Sequence, residues 1–238
     1  MNPVLKLVLT GLTIGAAVIA AIVFVPVRWF EPVVALLASL ACLEYAMLLR
    51  LKTDVSVLVR VFIFLIGAAV ILFGLSAIPG IALSQTVEGT RHGNLMLLYI
   101  LAIVKFSDVG GFAFGLSSAK LLKGGNHKLC PTISPGKSWE GLLGSVVFSC
   151  AVSCAFVPLT KFGVPKALAF GLVAALVGTA GDLVESKFKR WVGVKDSSAL
   201  KITNGMGGFL DMFDSILFLP ALVFPVELYL YWVKDWVK

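Results

Sequence analysis

The chain contains little charge. Only 14% of its 238 residues are charged, whereas a soluble globular domain has about 25%. Hydrophobic residues make up 59%, and the mean hydropathy is +0.99. This balance excludes an ordinary soluble domain. Because about 20 apolar residues make one helical crossing of a bilayer, the chain has material for roughly six to nine crossings.

Cysteine and histidine are also scarce, with four and two residues respectively. The cysteines form no CxxC motif or Cys/His cluster, which argues against a zinc site and a disulfide framework. A GxxxxGK[ST] motif is absent, so the chain is not a P-loop enzyme. The net charge of +7 lies in short loops between apolar runs. This distribution favours membrane orientation over nucleic-acid binding, and no nucleic-acid partner is expected.

Apolar runs predict an all-α, polytopic membrane protein with about seven transmembrane helices. The first run is interpreted as a retained helix and not as a signal peptide, because its apolar stretch is too long. The segment 76–85, which contains Pro79 and Gly80, is interpreted as a helix end or a short interfacial piece. The predicted helices span residues 4–27, 32–50, 57–78, 94–116, 140–160, 166–186 and 209–233.

Basic residues concentrate in alternate loops, so the positive-inside rule predicts a cytoplasmic N-terminus. For a bacterial source the membrane is then the plasma (inner) membrane. Before about residue 94 the runs are nearly uncharged inside, apart from Glu44, and after it ionisable residues fall repeatedly within them. We therefore expect an N-terminal scaffold at 1–93 and a C-terminal functional half at 94–238, within one membrane domain.

Three pairs of ionisable residues are spaced three apart, which places both members on one helix face. Such groups are costly in a bilayer and are candidates for function. For the first pair, a self-neutralising ion pair is an equal alternative. The last pair would repel when ionised, so it needs a shared proton or a cation, and a divalent metal with Asp182 as a further ligand is the natural solution. The pairs are Lys105 and Asp108, Asp182 and Glu185, and Asp211 and Asp214.

Two polar blocks accompany these pairs. The signature segment, residues 186–215, presents basic, glycine-rich and acidic residues in succession, an order typical of a metal-dependent phosphate site. The second block, residues 134–141, lies just before a predicted helix. It is interpreted either as part of that site or as a simple turn in which Ser138 caps the helix.

In these blocks the sequence resembles the phosphatidate cytidylyltransferase family, also called CDP-diacylglycerol synthases, over about residues 100–220. Three departures from the family pattern occur: Met206 stands where His is usual, Met212 stands where Arg is usual, and the loop from Asp196 to Gly205 is longer. The matching residues are Asp108, Ser134, Pro135, Lys137, Ser138, Glu140, Gly141, Gly181, Asp182, Ser186, Lys189, Arg190, Lys195, Asp196, Gly205, Gly207, Gly208, Leu210, Asp211, Asp214 and Ser215.

The resemblance implies Mg²⁺-assisted attack of the phosphate of phosphatidic acid on the α-phosphorus of CTP, giving CDP-diacylglycerol and pyrophosphate. It implies a bilayer-embedded homodimer, and a second cation remains open. The basic loops that flank the site place it on the cytoplasmic side by the positive-inside rule. The implied catalytic residues are Lys137, Lys189, Arg190, Lys195 and Asp196. The implied substrate-binding residues are Asp108, Ser134, Ser138, Gly207, Gly208 and Ser215. The implied metal ligands are Asp182, Asp211 and Asp214.

Alternative functions remain open from the sequence. A related enzyme could activate another lipid phosphate, such as an isoprenoid one. A cation-coupled transporter would also place acidic pairs and a lysine in membrane helices. The charge-dense signature segment at a membrane surface favours the nucleotide-using enzyme. Met206 and Met212 also motivate the alternative of an inactive relative, although every candidate metal carboxylate is present.

Overall fold

A computed structural model describes residues 3–84, 92–160, 163–194 and 210. These residues form seven α-helices, one 3₁₀ turn and one two-stranded antiparallel sheet. The elements are α1 (Pro3–Phe24), the 3₁₀ turn (Val27–Trp29), α2 (Phe30–Leu51), α3 (Val57–Ser84), α4 (His92–Leu121), β1 (Lys128–Cys130), β2 (Ser134–Ser138), α5 (Trp139–Ala155), α6 (Val157–Thr160) and α7 (Val164–Val192).

Within the described residues, four helices are long and apolar enough to cross a membrane. Their surfaces expose large apolar side chains, among them Phe62, Leu72 and Phe112, which suits contact with lipid. Together with the composition, these helices mark an integral membrane protein. The spans are Phe30–Leu51, Val57–Ile81, Asn94–Leu121 and Val164–Val192, and the shorter apolar helices are Gly15–Phe24 and Trp139–Ala155.

Six of the seven predicted helices correspond to α1–α5 and α7. The predicted helix 209–233 lies outside the described residues apart from Leu210. The count of seven crossings, the cytoplasmic N-terminus and the division at residue 94 stay predictions.

Helix α3 continues through Pro79 and ends at Ser84, so the predicted bound at residue 78 is too early, whereas the interpretation of segment 76–85 as a helix end is confirmed. Proline removes one backbone donor, yet membrane helices tolerate it where packing against neighbours compensates. Ala77, Pro79 and Ile81 are buried in the structure, which provides that packing. The prediction from Pro79 and Gly80 therefore overestimated the helix-breaking effect of Pro79.

Strands β1 and β2 form a hairpin between α4 and α5, with Lys128 opposite Ser138 and Cys130 opposite Ser134. The all-α prediction did not anticipate it, because residues 134–138 contain Pro, Gly and Ser and lack an apolar alternation. The predicted cap is confirmed: the Ser138 side chain accepts a hydrogen bond from the Gly141 N–H at 3.0 Å. The hairpin therefore leads directly into the first turn of α5.

Helices α4 and α5 approach each other through small residues. A Cβ added at Gly144 would lie 2.6 Å from the Cβ of Phe114 and would also overlap the carbonyl oxygen of Gly110. Ser145 Oγ donates to the Ser107 carbonyl at 2.9 Å. Small residues permit such close backbone approach between membrane helices.

Helix α5 packs on α7 in the same manner. Ser149 Oγ donates to the Gly171 carbonyl at 2.8 Å, and Ser153 Oγ donates to the Ala167 carbonyl at 2.6 Å. A Cβ added at Gly171 would lie 2.7 Å from the Cα of Cys150. These contacts place α5 between α4 and α7, and the three helices with the hairpin enclose the site described next.

Candidate active site

A cavity of about 470 Å³ lies between α4, the hairpin, α5 and α7. Its wall combines two lysines and two aspartates with several hydroxyl groups, a composition suited to a charged ligand. Its lining residues are Lys105, Ser107, Asp108, Gly111, Phe112, Leu129, Ser134, Gly136, Lys137, Ser138, Gly141, Leu142, Ser145, Thr179 and Asp182. The structure thus brings together Asp108, Ser134, Lys137, Ser138 and Asp182, five of the residues assigned to the site from the sequence.

An ion pair joins the hairpin to α7 across this cavity. Lys137 Nζ, on β2, donates to Oδ2 of Asp182. The side chain of Asp182 is 14% exposed and that of Lys137 is 36% exposed. A charge-assisted bond in such a partly enclosed place is stronger than an exposed surface pair. It fixes the ammonium group and the carboxylate at one point of the cavity wall.

Helix α4 contributes a second, looser ion pair. Lys105 Nζ lies 3.5 Å from Asp108 Oδ2, and the two side chains are 50% and 43% exposed. The intrahelical pair considered from the spacing is therefore present, and both of its members also line the cavity. The ion pair does not decide between the two interpretations, and a functional role for Asp108 stays a prediction.

The hairpin is anchored at its base. The Glu140 carboxylate accepts hydrogen bonds from the His127 backbone N–H, at 3.1 Å, and bonds the His127 ring at 2.7 Å. This hydrogen bond to the His127 side chain lowers the pKa of Glu140 below its ordinary value. Asn126 Nδ2 donates to the Gly115 carbonyl of α4 at 2.9 Å. These bonds hold β2, and with it Lys137, against the helices.

Lys189 and Arg190 lie near the C-terminal end of α7, away from this cavity wall. Lys189 Nζ donates to Glu185 Oε2 at 3.1 Å, and both side chains are largely buried. Arg190 Nη1 donates to the Val194 carbonyl at 3.3 Å. Two helical turns, about 10 Å along the axis, separate Lys189 from Asp182. Their assignment as phosphate contacts stays a prediction.

Several assigned residues lie outside the described residues. They are Lys195, Asp196, Gly207, Gly208, Asp211, Asp214 and Ser215, together with the two departures Met206 and Met212.

The donor set of the cavity suits Mg²⁺, which prefers carboxylate, hydroxyl and water oxygens. Asp108 on α4 and Asp182 on α7 provide two carboxylates that line the cavity. Among the residues that the structure describes, no group of three or more His, Cys, Asp or Glu side chains could hold a metal. Mg²⁺ is commonly held by one or two carboxylates together with waters and substrate phosphates, and the sequence analysis assigned Asp211 and Asp214, which lie outside the described residues, as further ligands.

Sequence reasoning missed some of the lining residues. Lys105 was noted for its spacing but was not assigned to the site, and Thr179 was overlooked. Thr179 precedes Asp182 by three residues, as Lys105 precedes Asp108, so helical spacing from an assigned aspartate would have identified both. Phe112 and Ser145 carry no comparable local signal.

Comparison with known proteins decides the family. Residues 6–230 match the sequence model described as the Cytidylyltransferase family. The chain belongs to the cytidylyltransferase family. The predicted resemblance is thus confirmed, and it extends well beyond residues 100–220.

Individual relatives agree with this assignment. A phosphatidate cytidylyltransferase of Staphylococcus aureus (strain COL) is 40% identical over 149 residues, covering 62% of this chain and 54% of the relative. The phosphatidate cytidylyltransferase of Staphylococcus saprophyticus is 36% identical over 149 residues, with the same coverage. An uncharacterized protein of Escherichia coli, YnbB, is 37% identical over 135 residues, covering 56% of this chain and 43% of the relative. The chain spans about half the length of the curated relatives it matches.

Proposed function

We propose that this chain is a CTP-dependent lipid cytidylyltransferase that converts phosphatidic acid to CDP-diacylglycerol and releases pyrophosphate. The observation that carries the proposal is the Lys137–Asp182 ion pair in a cavity of about 470 Å³ between membrane helices, in a member of the cytidylyltransferase family. The names of the staphylococcal relatives support phosphatidic acid as the lipid substrate.

The size of the cavity fits a small-molecule site, since such sites have volumes of about 300–1,000 Å³. Its position also suits a reaction between a lipid and a water-soluble nucleotide. One wall is the polar hairpin, and the opposite walls are helices long enough to span a bilayer. A nucleotide would approach from the hairpin, and a lipid headgroup would approach along the helices.

In the proposed reaction, an oxygen of the phosphatidic acid phosphate forms a bond to the α-phosphorus of CTP. The bond between that phosphorus and the oxygen bridging to the β-phosphate breaks, and pyrophosphate leaves. The attacking phosphate is already ionised, so no strong general base is needed. Catalysis then depends on positioning and on charge neutralisation.

Lys137 is proposed to contact the phosphates, together with Lys189, Arg190 and Lys195. The bond to Asp182 holds the Lys137 ammonium group in place before substrate binds, which reduces the entropy lost on binding. Ser134 and Ser138 line the same wall and would donate hydrogen bonds to phosphate oxygens. The other proposed substrate contacts are Asp108, Gly207, Gly208 and Ser215, with Asp196 among the catalytic groups.

Mg²⁺ is proposed to bind Asp182, Asp211 and Asp214, and a second cation remains open. When bound, it would neutralise charge on the triphosphate. We further propose that the site faces the cytoplasm at a plasma membrane. Lys120 and Lys123 near the end of α4 and Lys128 in the hairpin place positive charge on that side. A homodimer is the proposed assembly.

The proposal is tested with the purified full chain, Mg²⁺, radiolabelled CTP and phosphatidic acid in mixed micelles. We expect equimolar CDP-diacylglycerol and pyrophosphate, and we expect the Asp211→Asn variant to lose this activity while keeping its thermal stability. Robust turnover by that variant would disprove the metal assignment. An inactive wild-type chain, folded and supplied with each lipid, would disprove the enzymatic function.

Parallel reactions separate the alternatives. Replacing phosphatidic acid by an isoprenoid phosphate tests the other lipid substrate, and a preference for it would overturn the proposed one. Vesicles containing the chain, loaded with a pH-sensitive dye, test the cation-coupled transporter. Ion movement without any CTP turnover would favour that class instead.

A further inference from the structure

Glu44 is a buried carboxylate in the middle of a helix that the sequence analysis assigned to the scaffold. It lies on α2, and its exposed fraction is 0%. A carboxylate in a membrane helix is costly unless it is hydrogen-bonded or serves a function. Glu44 does not line the cavity described above, so it has no direct contact with that cavity.

The structure gives Glu44 a partner far away in the sequence. Glu44 Oε2 accepts a hydrogen bond from the backbone N–H of Leu210 at 2.9 Å, across 166 residues of sequence. A charged acceptor makes this bond stronger than one between two neutral groups. Leu210 belongs to the signature segment, and the next residue in the chain is Asp211.

The side chain of Leu210 is held at the same place. It packs against the α2–α3 cluster, which consists of Val34, Ala38, Ala41, Tyr45, Leu49, Ile71 and Leu75. Leu210 is thus fixed twice, through its backbone by Glu44 and through its side chain by this cluster.

Leu210 also lies beside α7. With Tyr45, Glu185 and Phe188 it lines a second, largely apolar cavity of about 320 Å³. The Tyr45 and Phe188 rings pack with their centroids 4.8 Å apart, and Glu185 bonds Lys189. The Glu44 bond therefore holds Leu210 next to the helix that carries Asp182 and Lys189.

We propose that Glu44 is a positioning residue for the active site: by holding the Leu210 peptide, it fixes the chain at the residue that directly precedes Asp211 in the sequence. The catalytic part of this inference rests on the proposed function, in which Asp211 binds the metal. Residues that orient metal ligands typically contribute about 10- to 100-fold in metal affinity or activity.

The test compares the purified wild-type chain with Glu44→Ala, Glu44→Gln and Glu31→Ala. Gln keeps an oxygen acceptor of similar shape, and Glu31 is an exposed acidic residue on the same helix. Hydrogen exchange at the Leu210 amide is measured first, without substrate. Mn²⁺ binding by electron paramagnetic resonance and then kcat and KM for CTP follow.

We expect Glu44→Ala to speed exchange at Leu210, to weaken Mn²⁺ binding about tenfold and to lower kcat with little change in KM for CTP. Glu44→Gln should largely restore all three, and Glu31→Ala should match the wild type. If Glu44→Ala leaves Leu210 exchange unchanged, the contact is unimportant and the inference fails. If exchange rises while Mn²⁺ affinity stays the same, the contact exists but positions no metal ligand, and the inference also fails.

These readouts separate this inference from the proposed function. A wild-type chain that turns over no lipid, but whose Mn²⁺ affinity falls tenfold in Glu44→Ala, would disprove the lipid cytidylyltransferase and support the positioning role. An active wild-type chain in which Glu44→Ala changes none of these measurements would support the lipid cytidylyltransferase and disprove the positioning role. If Glu44→Ala does not fold, Glu44→Leu, which fills a similar volume without an acceptor, replaces it: faster Leu210 exchange with weaker Mn²⁺ binding supports the inference, and unchanged exchange or unchanged affinity contradicts it.

Discussion

The helix pairs α2–α3 and α4–α5 bury their contact faces with different kinds of side chain. The α2–α3 cluster is filled largely by branched and aromatic residues such as Tyr45, Ile71 and Leu75. The α4–α5 contact combines glycines with Ser145, which bonds a backbone carbonyl, and with the Phe114 and Phe148 rings, which pack edge to face with their centroids 6.3 Å apart. The glycines permit a close backbone approach at which a polar hydroxyl reaches the neighbouring helix. The polar cavity lies beside this second pair.

The comparison implies that ion pairs have different roles in the two regions. Lys52 and Asp54, in the loop between α2 and α3, form a pair at 2.9 Å in which the Lys52 side chain is 21% exposed and the Asp54 carboxylate is 64% exposed. Such surface pairs contribute little. The Lys137–Asp182 pair lies in the cavity and is partly enclosed.

The largest expected effect is therefore at Asp182. We expect Asp182→Asn to lower kcat/KM for CTP at least about 100-fold, because it removes the charge that holds Lys137 and a proposed metal ligand. Asp54→Asn is the matched control and should stay within about twofold of the wild type. Both are measured as CDP-lipid formation from radiolabelled CTP. Similar activities in the two variants would show that the two ion pairs do not differ in their importance for activity.

The second effect concerns packing and stability. Val at Gly144 must displace Gly110 and Phe114 of α4, so we expect a loss of about 2 kcal/mol in unfolding free energy. The control is Gly178→Val on α7, where an added Cβ meets no atom within 4 Å. Its stability should change by less than about 0.5 kcal/mol. Unfolding in mixed detergent micelles measures both, and equal stability of the variants would show that α4 and α5 are not closely packed.

The third effect concerns Lys105, which lines the cavity and forms a long ion pair of 3.5 Å with Asp108. Lys105→Gln removes a positive charge from the cavity wall, and we expect about a tenfold lower kcat/KM for phosphatidic acid. Lys120→Gln, in the last turn of the same helix, is the control and should behave as the wild type. If Lys105→Gln is fully active with both substrates, Lys105 serves only to neutralise Asp108.

The smallest effect is a difference in how much the serine hydrogen bonds of the two regions contribute to stability. Ser149 bonds a carbonyl on another helix, whereas Ser39 on α2 bonds Ala35 of its own helix at 2.8 Å. We expect Ser149→Ala to cost about 0.6 kcal/mol, the average for bonds between membrane helices. Ser39→Ala should change the unfolding free energy less than that. A larger loss in Ser39→Ala, measured in the same micelles, would contradict the contrast.

Much of the fold follows from local patterns in the sequence. Apolar runs located six helices, and Ser138 was correctly predicted as the cap of α5, because helix length and capping depend on neighbouring residues. The passage of α3 through Pro79 and the short hairpin were not predicted. Both depend on tertiary contacts: Pro79 is buried, and the residues that flank the hairpin are held by bonds of Asn126, His127 and Trp139.

The candidate site was predicted in part for the same reason. Spacing of three residues put Lys105 with Asp108, since a helix brings such residues to one face. It paired Asp182 with Glu185, but in the structure these two carboxylates bond Lys137 and Lys189 respectively. The spacing of residues along one helix contains no information about a lysine that a hairpin places beside that helix.

By itself the sequence determined that the protein lies in a lipid bilayer, which segments are helical and to which family it belongs. Hydropathy, helix capping and signature motifs are all encoded along the chain. The tertiary structure alone decided that Lys137 meets Asp182, that Lys105 faces the same cavity, and that Glu44 holds Leu210. These contacts join residues up to 166 positions apart. They form only when the helices pack together, and that packing is a property of the whole fold.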